Sequence, residues 1–136
     1  MGLGVPNDGV SWYSGRMRNL SRFKILDRAE SVAERAYLVA RELPDSERYG
    51  MKSQLERAAL SIALNIAEGL GRGSDGDSER SLRIASGSAA EVEIVVKLAR
   101  RIHGLDADTS VLDREVRAIR HSLYRFIEVV RRRRSS

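Results

Sequence analysis

The stretch Ser61-Ile62-Ala63-Leu64-Asn65-Ile66-Ala67-Glu68-Gly69 decides the reading of this chain, because it sets a polar row into a helix that is otherwise apolar nearly all round. At about 100° per residue, Met51, Leu55, Ala58, Ile62, Ile66 and Gly69 fall on one side, and Leu60, Ala63, Leu64 and Ala67 on the other. Gln54, Arg57, Ser61, Asn65 and Glu68 run between them. A helix of that kind predicts burial on more than one side, and its polar groups then require hydrogen-bond partners.

Outward from this stretch the chain reads as four helices. Over about 25–42, Leu26, Ala29, Ala33, Ala36, Tyr37 and Ala40 recur at helical spacing, and Pro44 stops the helix. The second spans about 46–70, with Asp45 or Ser46 as its N-cap. The third, about 78–103, takes Asp77 or Ser78 as cap and Gly104 as stop, and aligns Leu82, Ala85, Ser88, Ala89, Val92, Val95, Val96 and Ala99. The fourth starts near Thr109 or Ser110, ends at about 131, and presents Leu112, Val116, Ile119, Leu123, Phe126, Ile127 and Val130. There is no strand-like alternation and no internal repeat. Short connectors favour antiparallel neighbours, so the fold class is all-α, an antiparallel up-down-up-down four-helix bundle over residues 23–131. Residues 1–22 read as a flexible leader anchored by Trp12 and Tyr13, with Met17 as an alternative start, and 132–136 as a basic C-terminal tail.

At 136 residues the chain has the length of one domain, and with aromatics at only 5% its core must be aliphatic. It contains no cysteine, which removes disulfide and thiolate-metal chemistry. No apolar run is long enough to span a bilayer, and no signal peptide precedes the body, so a cytoplasmic protein without membrane contact is expected. The charge is unevenly placed: residues 1–25 carry +3 and Arg131–Arg134 add +4, which against a total of +5 leaves −2 for the body between. The basic character therefore sits at the ends.

Helix three carries a second apolar strip of Ile84, Gly87, Ile94 and Leu98 around Glu91. Together with the second face of helix two, this is more apolar surface than one small bundle buries. A homo-oligomer is expected, with these faces in contact.

Chemistry-bearing patterns are sparse. Gly71, Gly73 and Gly76 have the spacing of a dinucleotide fingerprint, but that motif requires a preceding strand, and here the segment is a flexible link between helices. His103 and His121 lack ligand-spaced partners, so neither a metal nor a cofactor is expected. No serine sits in a nucleophile elbow, and the chain is read as not an enzyme. A Glu68–Glu91 pair could do acid–base work or hold a divalent ion. The reading adopted is a structural network of Gln54, Arg57, Ser61, Asn65, Glu68 and Glu91, with Arg57 pairing Glu91 or Glu68. On helix four, Arg114, Arg117, His121, Arg125 and Arg132 form a basic stripe, broken by Glu128, that runs into Arg131, Arg132, Arg133 and Arg134. The stripe, read as lacking interleaved aromatics, is either a track for a phosphate backbone or a solvated face.

These residues resemble the 23S rRNA-intervening sequence protein family. The similarity runs through Phe23–Tyr37, Pro44–Met51, Gln54–Ala59, Ser61–Gly69 and Ala85–Glu91, and covers roughly 23–130. Ala63 stands where many members have proline, which predicts a straighter second helix. The resemblance implies an antiparallel four-helix bundle assembled as a homopentamer and without enzymatic activity. It also implies a distant similarity to the accessory variability proteins of diversity-generating retroelements, which associate with a reverse transcriptase and nucleic acid. The expected function is a nucleic-acid-associated accessory protein whose partners are its own copies, RNA or DNA, and a nucleic-acid enzyme. The alternative is a protein–protein interaction scaffold that binds no nucleic acid.

Overall fold

In a computed structural model, which describes residues 9–71, 74–105 and 107–135, the helices are α1 (Gly9–Glu42), α2 (Met51–Gly71), α3 (Asp75–His103) and α4 (Ala107–Ser135). Each packs on the next, and α1 closes against α4, with no contact across either diagonal among the described residues. Cross-links fix the directions. Glu79 of α3 meets Arg134 of α4, whereas Glu93 meets Arg117 and Arg120, so α3 and α4 are antiparallel. Ser61 of α2 meets Ser88 of α3, and Gly69 lies beside Ser78 and Leu82, so α2 and α3 are antiparallel as well.

The core is aliphatic, and every helix buries residues at spacings of four and three, which alternate on α1, α2 and α3 and slip by one residue on α4 at Ile127. On α1 the seam is Ile25, Ala29, Val32, Ala36 and Val39, and on α2 it is Leu55, Ala59, Ile62, Ile66 and Gly69. On α3 it is Leu82, Ala85, Ala89, Val92, Val96 and Ala99, and on α4 Leu112, Val116, Ile119, Leu123, Ile127 and Val130. A 3.5-residue repeat keeps one seam facing its neighbours along the whole helix, as in left-handed bundles crossing at about 20°. The faces expected on α3 and α4 are those buried, with Val95 and Phe126 packed at the margin. On α1 the seam is turned from the expected one: Val32 and Val39 are buried, Leu26 and Ala33 are half-buried, and Tyr37 is exposed. Alanines at several spacings fit more than one stripe, and the larger aliphatic residues Ile25, Val32 and Val39 choose between them.

Helix ends also depart from expectation. α1 begins at Gly9, so much of the stretch read as a leader is helical; residues 1–8 lie outside the described residues, and Trp12 and Tyr13 are described only as backbone. No proline separates Gly9 from Pro44, so nothing in that sequence breaks the helix. α3 begins at Asp75, capped by Ser74, whose Oγ accepts the Asp77 N–H at 3.2 Å. Gly71 therefore belongs to α2 and Gly76 to α3, while 72 and 73 are outside the described residues. Gly104 stops α3 in the left-handed region at φ 69°, as expected. α4 starts at Ala107 because Thr109, fully buried, bonds back to the Leu105 carbonyl instead of capping. It continues through Arg131–Arg134, so the basic tail is the last turn of the helix.

α2 starts at Met51, because Asp45–Glu47 form a 3₁₀ turn first. The cap is the Glu47 side chain: Oε1 accepts the Met51 N–H at 3.1 Å, and Oε2 meets His103 Nε2 at 2.9 Å. His103 thus ties the end of α3 to the start of α2. A Cβ at Gly50 would lie 2.6 Å from Glu47 Oε1, so glycine leaves this carboxylate its place. The hydrogen bond with His103, and then that from Met51, hold the Glu47 carboxyl below its ordinary pKa of 4.5. Because the folded value is the lower one, the stabilisation is complete above the unfolded pKa and is lost as pH falls through the folded value. The difference in thermal midpoint between the native chain and Glu47→Gln should therefore persist near neutrality and close in acid below about pH 4.5. A difference that stays open in acid contradicts this role.

Candidate nucleic-acid interface

The polar row of α2 separates into two environments. Ser61 and Asn65 are half-buried at the α3 contact, where Ser61 Oγ lies 2.8 Å from Ser88 Oγ. Asn65 Nδ2 donates to the Ser61 carbonyl at 2.9 Å and to its Oγ at 3.2 Å. Gln54, Arg57, Glu68 and Glu91 are exposed. Among the described residues Arg57 pairs with neither Glu91 nor Glu68, against expectation, and Glu68 has another interaction. Ser61 and Asn65, the two short polar side chains of the row, face the α2–α3 contact and bond across or along it.

The second apolar faces are at the surface of the single chain. Leu60 and Leu64 are 44% and 59% exposed on α2, and Ile84, Ile94 and Leu98 are 45%, 57% and 38% exposed on α3. Four helices in a square give each two neighbours, and α2 already spends its contacts on α1 and α3.

The basic residues gather elsewhere, in an open groove of about 750 Å³ between α3 and α4. Arg117, His121 and Arg131 line it, as members of the stripe expected on α4. So do Arg83, Ser86, Arg120, Tyr124, Ile127 and Glu128. Arg114, Arg125, Arg132 and Arg133 are exposed on α4 but do not line the groove. Tyr124 corrects the view that the stripe lacks an aromatic: it is 64% exposed and lies three residues from His121 and four from Arg120, on their face of the helix. Arg83 was not legible on α4 at all, since it arrives from α3 through tertiary packing.

Two carboxylates hold guanidinium groups in the groove and, at Arg134, in the depression beside it. Glu79, whose side chain is 11% exposed, accepts from Arg83 Nε at 2.8 Å and from Arg134 Nη1 at 2.7 Å. These bonds, that from Arg83 foremost, hold its carboxyl below the ordinary carboxylate range. Glu93 faces Arg120 Nε at 3.1 Å and Arg117 Nε at 3.8 Å. The Arg120 contact is an ion pair out of hydrogen-bond alignment, and the buried Oε2 of Glu93 accepts no hydrogen bond. Arg117 also meets Asp113 at 3.2 Å, and Arg131 meets Glu128 at 3.5 Å. The stripe is thus partly neutralised, with its arginines positioned by acidic neighbours. Arg114, Arg125 and Arg132 have no carboxylate partner among the described residues. Among those residues, no group of three or more histidines and carboxylates converges as a metal site, and no helix is long and apolar enough to cross a membrane.

Comparisons with known proteins agree with this architecture. The fold is similar to that of a protein of unknown function from the S23 ribosomal protein family of Bacteroides thetaiotaomicron VPI-5482, with a TM-score of 0.72 and 23% identity over 79% of this chain and 98% of that one. No curated protein matches the chain. The profile of the 23S rRNA-intervening sequence proteins matches residues 21–125, from α1 into α4 as far as the turn that carries Tyr124, and the chain belongs to that family.

Proposed function

We propose that this protein is a non-enzymatic, self-assembling helical bundle that acts in the cytoplasm as a nucleic-acid-associated accessory protein. The observation that carries the reading is the α3/α4 groove, where Arg83, Arg117, Arg120 and Arg131 converge with His121 and Tyr124. Guanidinium groups suit phosphate through charge and paired donors. The groove is open, and His121 makes no hydrogen bond to Ser86 or Glu128, which supports a binding surface over a nucleophile–base site.

Assembly is the second part of the proposal. The exposed strips of α2 and α3 form the contact between copies, in the homopentamer that the family resemblance implies. Arg57 and Glu91, exposed and without an ion pair among the described residues, are the charges that such a contact would bring together. Assembly would repeat the groove around the particle, giving a nucleic acid and its processing enzyme several equivalent contacts.

The test is the salt dependence of binding to a labelled oligonucleotide. Arg131→Gln, Arg132→Gln and Arg133→Gln are combined, and Arg134 is kept because it holds Glu79. Each lost phosphate contact lowers the slope of log affinity against log salt by about 0.7–0.9, so the triple variant should bind more weakly and with a shallower slope. An unchanged slope removes the end of α4 from the interface. Absence of binding by the native chain leaves the protein-interaction scaffold.

A further inference from the structure

We infer that the α3/α4 groove takes single-stranded nucleic acid, with Tyr124 as a stacking platform between two pairs of guanidinium groups held on Glu79 and Glu93. The inference rests on the nucleic-acid reading above and names the form of the ligand.

Each anchor gathers two arginines on one carboxylate: Arg83 and Arg134 on Glu79, Arg117 and Arg120 on Glu93. The Glu79 cluster therefore keeps one positive charge in excess. At the Glu93 cluster Asp113 also reaches Arg117, so the attraction there comes mainly from guanidinium donors. Arg83, Arg117 and Arg120 approach their carboxylates through Nε, and a guanidinium group has four further N–H donors on its terminal nitrogens. Held this way, the side chains have already lost much of the rotamer freedom that a phosphate contact would otherwise cost.

The spacing fits a short strand. Glu79 and Glu93 are fourteen residues apart on one helix, a separation of about 21 Å at 1.5 Å per residue. Tyr124 lies between the two clusters on the antiparallel α4, one turn beyond Arg120, with most of its surface in solvent. An exposed ring flanked by cations offers an unstacked base its π-face while phosphates meet the arginines on either side. A duplex keeps its base faces stacked on one another and can use only the charges. Glu128, against Arg131 in the same groove, disfavours a continuous run of phosphates and favours contacts at discrete points.

The experiment measures fluorescence anisotropy of labelled oligouridine and oligothymidine of about twelve nucleotides, and of a blunt duplex of equal length, with the full chain at low salt. Tyr124→Ala should weaken single-strand binding roughly 5- to 100-fold and leave duplex binding unchanged, while Tyr124→Phe, which keeps the ring, should stay near native. Because Tyr124 is exposed, far-UV circular dichroism should be the same for all three proteins. If the alanine variant binds both forms as the native chain does, or weakens both equally, this inference is overturned and the groove remains a charge-only site. If the native chain binds none of the probes, the nucleic-acid reading itself fails.

Discussion

Replacing Leu64 and Ile94 together by arginine is expected to reduce the particle to a single chain of 15.2 kDa while leaving its helical signal intact. Both side chains are more than half exposed within the chain, so neither fills a gap in the bundle. Burying such a side chain at a contact between copies contributes about 1.5–3 kcal/mol, and closed symmetry repeats the gain at every contact. An arginine in the same place brings a charge that must be desolvated without a partner. The contrast between mass and fold distinguishes an assembly face from a core face. A variant that unfolds would make the strips part of the folding core, and one that keeps the native mass would place the contact elsewhere. Glu91→Ala should likewise spare the fold, because Glu91 is exposed and makes no ion pair among the described residues.

The second large effect belongs to Gly69, the last residue of the polar stretch. A Cβ there would stand 2.9 Å from Leu82 Cγ and Cδ2 and 3.3 Å from the Ser78 carbonyl. The leucine can move, but the carbonyl is part of the α3 backbone. Alanine recovers about 1 kcal/mol of helix propensity over glycine, and forcing the helices apart costs about 1–3 kcal/mol. Gly69→Ala should therefore lower the free energy of unfolding by up to about 2 kcal/mol, measured by urea denaturation. Leu82→Ala opens a cavity and costs about 2–5 kcal/mol alone. Combined with Gly69→Ala it should cost less than the sum of the two, because the new methyl enters the vacated space. Strict additivity would mean that Gly69 and Leu82 do not set the α2–α3 distance.

The helices were legible because apolar spacing is a local property, and α3 and α4 bury the residues that their periodicity selects. α1 was turned from expectation because alanine marks several stripes equally well. At the start of α2, Asp45 and Ser46 look like caps, yet the cap is Glu47, whose carboxylate is fixed by His103 from the far end of α3. The candidate interface divides the same way. Arg117, His121 and Arg131 were visible as one face of α4, and Tyr124 was equally legible from its spacing to Arg120. Arg83 and the two carboxylate anchors depend on the register between α3 and α4, which neither helix encodes by itself. The polar row of α2 was visible as a row, but which of its members are sheltered depends on where α3 lies.

The proposed assembly strip and the proposed nucleic-acid groove lie on different faces along most of α3: Ile94 and Leu98 belong to the exposed apolar strip and Ser86 and Glu93 turn toward α4, while Ile84 borders the Glu79–Arg134 pair. Assembly of the proposed kind through Ile94 and Leu98 would leave the Glu93 end of the groove open. The most direct test is the mass of the native chain by light scattering after size exclusion at low salt, with oligouridine present and ultraviolet absorbance separating protein from nucleic acid. The account predicts a particle of several 15.2 kDa chains that carries the oligonucleotide. A single-chain mass, or a particle that elutes without nucleic acid, would contradict it.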